Sequence, residues 1–156
     1  MKVRNTQEAM YIACQMEQNA VKLYERAIQL MRAQEREKEP LFAYLTFMLR
    51  DEKHHLSQFQ ALFEGLDEVT ERLLLLSAES DSILFKGGLM GAARGGLLED
   101  VPAMLAFAES SEQTAAATYR AFAESCEDAG AAATLRMIAQ EEDKHLSTIR
   151  LYQEQA

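Results

Sequence analysis

The sequence predicts an all-α fold, a four-helix bundle of two helix pairs joined by a long crossover. Three observations support this. Alanine, leucine, glutamate, glutamine and methionine, all strong helix formers, dominate the 156 residues, and proline stands only at 40 and 102. Core-type side chains recur at three- and four-residue spacing in four long stretches, the period of a buried helix face. The segment between the second and third stretches, 64–101, is far longer than antiparallel neighbours need, so it is expected to cross the bundle. A chain of this length makes one domain, 1–156, with a proper core.

The first helix is expected over 6–36, capped by Thr6, with Met10, Ala13, Glu17, Ala20, Tyr24, Ala27 and Met31 along its seam. The second, 40–63, opens on Pro40, which suits a first turn, and presents Leu45, Met48, Glu52, His55, Phe59 and Leu62. A short helix can occupy the front of the crossover, which also holds an apolar run at Leu73–Leu76 and five of the seven glycines, in KGGLMGAARGG. Asp100 and Pro102 mark the start of the third helix, 102–126, whose seam reads Leu105, Ala108, Glu112, Ala115, Tyr119, Phe122 and Cys126. Gly130 punctuates the turn into the fourth, 131–153, with Leu135, Ile138, Glu142, His145, Ile149 and Tyr152.

The halves repeat. A shift of 95 overlays Ala13, Glu17, Gln18, Ala20 and Tyr24 on Ala108, Glu112, Gln113, Ala115 and Tyr119. A shift of 90 overlays Leu45, Glu52, His55, Leu56 and Ser57 on Leu135, Glu142, His145, Leu146 and Ser147. Helix pair, crossover, helix pair is therefore expected to carry pseudo-twofold symmetry.

Composition excludes some partners. A formal charge of −9 leaves no basic stripe to neutralise phosphates, so no nucleic acid is expected. The start, MKVRNTQEAM, is too polar for a signal peptide, and no apolar run approaches membrane-spanning length. Cys14 and Cys126, far apart, suggest neither a disulfide framework nor a metal knuckle. The cytoplasm is the expected location.

The chemistry lies in the seams. Each apolar seam carries one carboxylate at its middle, and two add a histidine one turn later. An isolated buried carboxylate is costly and either takes up a proton or finds a partner. No Lys or Arg stands on any of the four seams to relieve four of them. Two divalent cations would balance four carboxylates, with two neutral imidazoles completing the ligand set. Residues at i and i+3 share a helix face, so Glu52 with His55 and Glu142 with His145 can each chelate from one side. One Glu from each of two helices plus Glu-x-x-His from each of two others is the pattern of ferritin-like di-iron bundles. The alternative is that the six residues line a polar interface between subunits.

Through QMEQNAVKLY, RDEKHHL, SSEQTAAATY and EEDKHL, the chain resembles the rubrerythrin branch of the ferritin-like di-iron superfamily over nearly its whole length. That resemblance implies a ferritin-like bundle with two iron ions. Glu52 and Glu142 would bridge them, Glu17 and His55 would hold one metal, and Glu112 and His145 the other. Tyr24 and Tyr119 stand where the family places tyrosines that hydrogen-bond to ligands; ordinary core packing is the alternative. Two departures matter. The four cysteines of a rubredoxin domain are missing, so electrons would come from a separate protein. The extra glutamate usual in rubrerythrins, three residues beyond the terminal one of the third helix, falls on Ala115. If Glu109 were the terminal ligand, Glu112 could be the extra one; repeat symmetry favours Glu112 and leaves Glu109 a secondary candidate.

Other residues read as ordinary. His54 points nearly opposite Glu52, and Asp51 and Glu141 are expected to be solvated. Cys126 and the methionines read as core filler. Ligand chemistry alone suits iron, manganese or zinc. The expected activity is reduction of hydrogen peroxide with an external donor, with no catalytic side chain beyond the metal ligands. A ferroxidase acting with dioxygen, or a bundle merely stabilised by metal, are the alternatives. A homodimer is expected through helix faces and the crossover.

Overall fold

The computed structural model describes residues 1–155; Ala156, the last residue of the expected domain, lies outside the described residues. Among the described residues the chain forms six helices and no strand: α1 Thr6–Ala33, α2 Pro40–Leu62, α3 Glu68–Ser80, α4 Gly88–Arg94, α5 Val101–Ala123 and α6 Ala129–Gln155. The long helices are α1, α2, α5 and α6. Helix α1 packs chiefly on α2, and α5 on α6, while α1–α5 and α2–α6 contacts join the two pairs. The crossover helices α3 and α4 lie on α1. No described helix is long and apolar enough to cross a membrane.

Side chains of the core fall into two clusters, and their membership shows the helix directions. One gathers Met10 and Ala13 of α1 with Phe59 of α2, Tyr119 and Phe122 of α5, and Leu135 and Ile138 of α6. The other gathers Met31 of α1, Leu45 and Met48 of α2, Leu105 and Ala108 of α5, and Ile149 of α6. Early α1 therefore meets late α2, late α5 and early α6, so α1 and α6 run one way and α2 and α5 the other. Two consecutive long helices that run in the same direction need a connection spanning the bundle, which is what α3, α4 and their loops supply.

The ends of the helices follow local chemistry and correct several expected boundaries. Asn5, not Thr6, caps α1: its side chain accepts from the Glu8 N–H at 3.0 Å. The Thr6 hydroxyl instead accepts from the Asp128 N–H at 3.2 Å, tying α1 to the α5–α6 turn. Helix α1 stops at Ala33 because Glu35 adopts φ 56°, and the Glu35 and Arg36 N–H groups close back on Arg32 and Met31 at 3.0 and 2.9 Å. That is a Schellman closure with a non-glycine residue in the left-handed position. Asp100 caps α5 through the Ala103 N–H at 2.8 Å, as expected. Helix α5 ends at Ala123, which leaves Cys126 in the following turn, half-buried. Asp128 accepts from the Ala131 N–H at 2.8 Å, so α6 begins early and Gly130 belongs to its first turn.

The crossover carries more helix than its glycines suggest. Helix α3 fills the expected front position, and α4 forms within the glycine-rich stretch. A Cβ at Gly91 would stand 2.1 Å from the Lys86 carbonyl oxygen, so only glycine lets the Phe85–Gly88 loop close onto α4. The apolar run divides: Leu74 is buried, Leu75 packs at the core margin, and Leu73 and Leu76 are exposed.

Candidate metal centre

Between the two apolar clusters lies a polar layer. Glu17, Glu52, His55, Glu112, Glu142 and His145 are all at most 3% exposed. Each sits at the middle of its seam, so packing the four apolar stripes against one another drives the six polar groups to the bundle's axis. The seam spacing predicts this placement, and the structure brings all six together.

Their ligand atoms form two overlapping quartets, Glu17–Glu52–His55–Glu142 and Glu52–Glu112–Glu142–His145, in each of which the atoms lie within 4.8 Å of one another. Glu52 and Glu142 belong to both. The histidines reach across the bundle. His55 Nδ1 lies 2.9 Å from Glu142 and 3.7 Å from Glu52 of its own helix, whereas His145 Nδ1 lies 3.0 Å from Glu52 and 3.9 Å from Glu142. Glu17 stands 3.8 Å from His55 Nδ1, and Glu112 stands 3.5 Å from His145 Nδ1. The two imidazole rings are 6.0 Å apart and nearly parallel.

A further set of groups holds these six. Tyr119 donates to Glu17 at 2.7 Å and Tyr24 to Glu112 at 2.5 Å, so each tyrosine steadies the carboxylate of the other half. Both hydroxyls are buried, and with carboxylates beside them their pKa values are pushed well above 10.0. On the far side of each imidazole stands a second carboxylate. His145 Nε2 meets Asp51 at 3.1 Å, and His55 Nε2 meets Glu141. Asp51 and Glu141 were expected to be solvated; both are only half-exposed and fix the imidazoles from the opposite helix. A carboxylate on the outer nitrogen places the proton there and leaves Nδ1 free to bind. The signal was an acidic residue immediately before each Glu-x-x-His, repeated at the same shift of 90.

Two other residues resolve plainly. Glu109 is not brought to the cluster: it lies at the surface, paired with Arg150 Nε at 2.9 Å, which lowers its pKa. As the secondary ligand candidate it is corrected, because it follows the seam residue Ala108 by one position, which turns its side chain away from the axis towards Arg150 of α6. His54 is exposed.

Electrostatics expose the cost of this arrangement. Burial pushes Glu17, Glu52 and Glu142 well above the ordinary 4.5, and neighbouring carboxylates raise them further. Glu112 is held low: burial would raise it, but hydrogen bonds from Glu142, His145 and Tyr24 outweigh that. His145, which burial alone would lower, is raised to about 9 by Glu112 and Asp51. Without cations, then, the cluster holds protons to limit its charge. Glu17 Oε2, both Glu52 oxygens, Glu112 Oε2, Glu142 Oε1 and Nδ1 of both histidines are buried without a hydrogen-bond partner. Unsatisfied buried atoms are costly, and seven aimed at one small volume are the donor set a metal site requires. The buried Glu–His groups could hold metal ions. Carboxylate oxygens with one imidazole per quartet suit iron, manganese or zinc.

A cavity of about 310 Å³ opens onto the carboxylate side of the cluster between α1 and α5, under the segment Ser82–Leu89. The histidines lie on the α2–α6 side, so the approach from solvent meets glutamates first. No protein-family model, curated protein or solved structure matches this chain.

Proposed function

We propose that the chain is a dinuclear non-haem iron carboxylate protein, similar to rubrerythrins within the ferritin-like superfamily, that reduces hydrogen peroxide with electrons from an external donor. One observation carries this reading: the two buried quartets share Glu52 and Glu142 and hold nearly all the unsatisfied buried polar atoms. The run of α1 and α6 against α2 and α5, with a spanning connection, agrees with a ferritin-like bundle.

Two bound metals would supply the electron-transfer chemistry: two electrons and two protons convert peroxide to two waters. The chain's own residues do the rest. Glu17 with His55 would hold one metal and Glu112 with His145 the other, and Glu52 and Glu142, common to both quartets, would serve both. Tyr119 Oη and Tyr24 Oη restrain the outer glutamates by hydrogen bonds. Asp51 and Glu141 keep the proton on Nε2 of the histidines. Apolar clusters above and below exclude bulk water, and the cavity between α1 and α5 admits a small oxidant to the carboxylate side.

Rapid mixing of iron(II)-loaded protein with peroxide and, separately, with dioxygen tests the reading. Faster oxidation by peroxide supports it. Faster oxidation by dioxygen would make the chain a ferroxidase, and no oxidation by either would leave the metals a structural role.

A further inference from the structure

The cavity over the cluster is larger than peroxide needs. A cavity of about 10–15 Å³ holds one water, against about 310 Å³ here. An apolar cavity of about 150 Å³ already admits benzene, and pockets for organic ligands begin at about 300 Å³. There is room for a substituted ring together with the oxidant.

The walls differ from the floor. Glu17, Glu52, Glu112 and Glu142 form the floor, while Leu23, Leu84, Leu89, Phe85 and Phe107 form apolar walls. The Phe85 and Phe107 rings stand 6.0 Å apart at 63°, an edge-to-face pair, and Phe85 is 40% exposed, which places it at the mouth. Such a pair favours an aromatic guest. Ser110, Ser111, Thr114 and Asn19 add hydroxyl and amide groups along α1 and α5. With its carboxylates balanced by cations or protons, the floor offers no free charge to pair with a guest, and the apolar walls would strip water from an anion or a cation alike. Lys86 and Glu79 at the lining contribute one charge of each sign. The chemistry selects an uncharged aromatic molecule with polar substituents.

We propose that the cavity binds a monocyclic hydroquinone, which serves as the two-electron reductant; this rests on the peroxide reading above. In the overall reaction the hydroquinone gives up two electrons and its two hydroxyl protons to become the quinone. The O–O bond of peroxide breaks, and both oxygens leave as water.

Binding is tested first without metal. Unsubstituted 1,4-hydroquinone is titrated anaerobically into the ¹⁵N-labelled, metal-free full chain at pH 6. Saturable shifts at Phe85, Leu89 and Ser111 are expected, with a dissociation constant of about 1 mM or tighter for a ligand of this size. Ala20→Phe, which extends a ring into the cavity, and Phe107→Ala, which removes a wall, should each weaken binding about tenfold. Absence of saturable shifts, or unchanged affinity in both variants, overturns the proposal. The iron-loaded chain is then given peroxide with hydroquinone, and separately with dithionite. One-to-one consumption of hydroquinone and peroxide supports the proposal. Turnover with dithionite alone overturns the hydroquinone assignment and leaves the peroxide reading intact, whereas binding without turnover by either donor overturns the peroxide reading and the reductant role with it.

Discussion

His55 and His145 turn Nε2 toward a carboxylate of the opposite helix, so each imidazole is held from outside and presents an unpartnered Nδ1 to the glutamates. Outer partners of this kind change metal affinity by about 10–100-fold. Asp51→Asn should therefore weaken metal binding by about that factor, read by competition with a chelator, while Glu109→Gln should leave it unchanged. Glu142→Ala removes a carboxylate common to both quartets and should lower bound metal by about one ion per chain in elemental analysis. Retention of both ions would mean that Glu142 is not shared. The six central residues were legible because a charged residue inside an apolar seam is an anomaly that periodicity exposes. Asp51 and Glu141 were not, because periodicity places a residue on its own helix and is blind to the neighbour across the bundle.

Helix ends show the same limit at the scale of elements. Asp100 and Pro40 were readable, since a cap acts within its own turn. The early stop of α1 was hidden because Glu35 carries no glycine signal, yet it takes the left-handed conformation at φ 56°. That conformation costs an L-residue about 1–2 kcal/mol, partly recovered by the lower chain entropy of a non-glycine. Glu35→Gly should thus raise the melting temperature by about 2 °C, measured calorimetrically. Gly91→Ala should do the opposite to the crossover. Its Cβ would strike the Lys86 carbonyl at 2.1 Å, so the Phe85–Gly88 loop must open. Faster amide exchange confined to residues 82–96 is the expected result, and unchanged exchange there would show that the loop does not depend on this close approach.

Across the whole molecule, the polar layer sets how stability varies with pH. Glu17, Glu52 and Glu142 bind protons more tightly folded than unfolded, so their stabilising effect is full below about 4.5 and fades as pH rises through their raised values. His145 acts in the same sense, full below 6.5 and lost on passing about 9. Glu112, held low, opposes them. The metal-free chain should lose about 5–10 °C in melting temperature between pH 5 and 9. Saturating metal should raise the curve and flatten it, because cations replace protons in balancing the same carboxylates. Equal melting curves with and without metal would argue that the layer does not coordinate ions.

Alone, the sequence determined the all-helical class, the four long helices and the six polar residues at their seams, since each follows from period, propensity and composition along one helix. Only the tertiary structure decided which helices run together, that Glu52 and Glu142 are shared, that the imidazoles reach across to the opposite carboxylates, and that a cavity opens beside α1 and α5. Those depend on distances between segments far apart in the chain, which are set by how the apolar faces dock and not by the spacing of residues within any one of them.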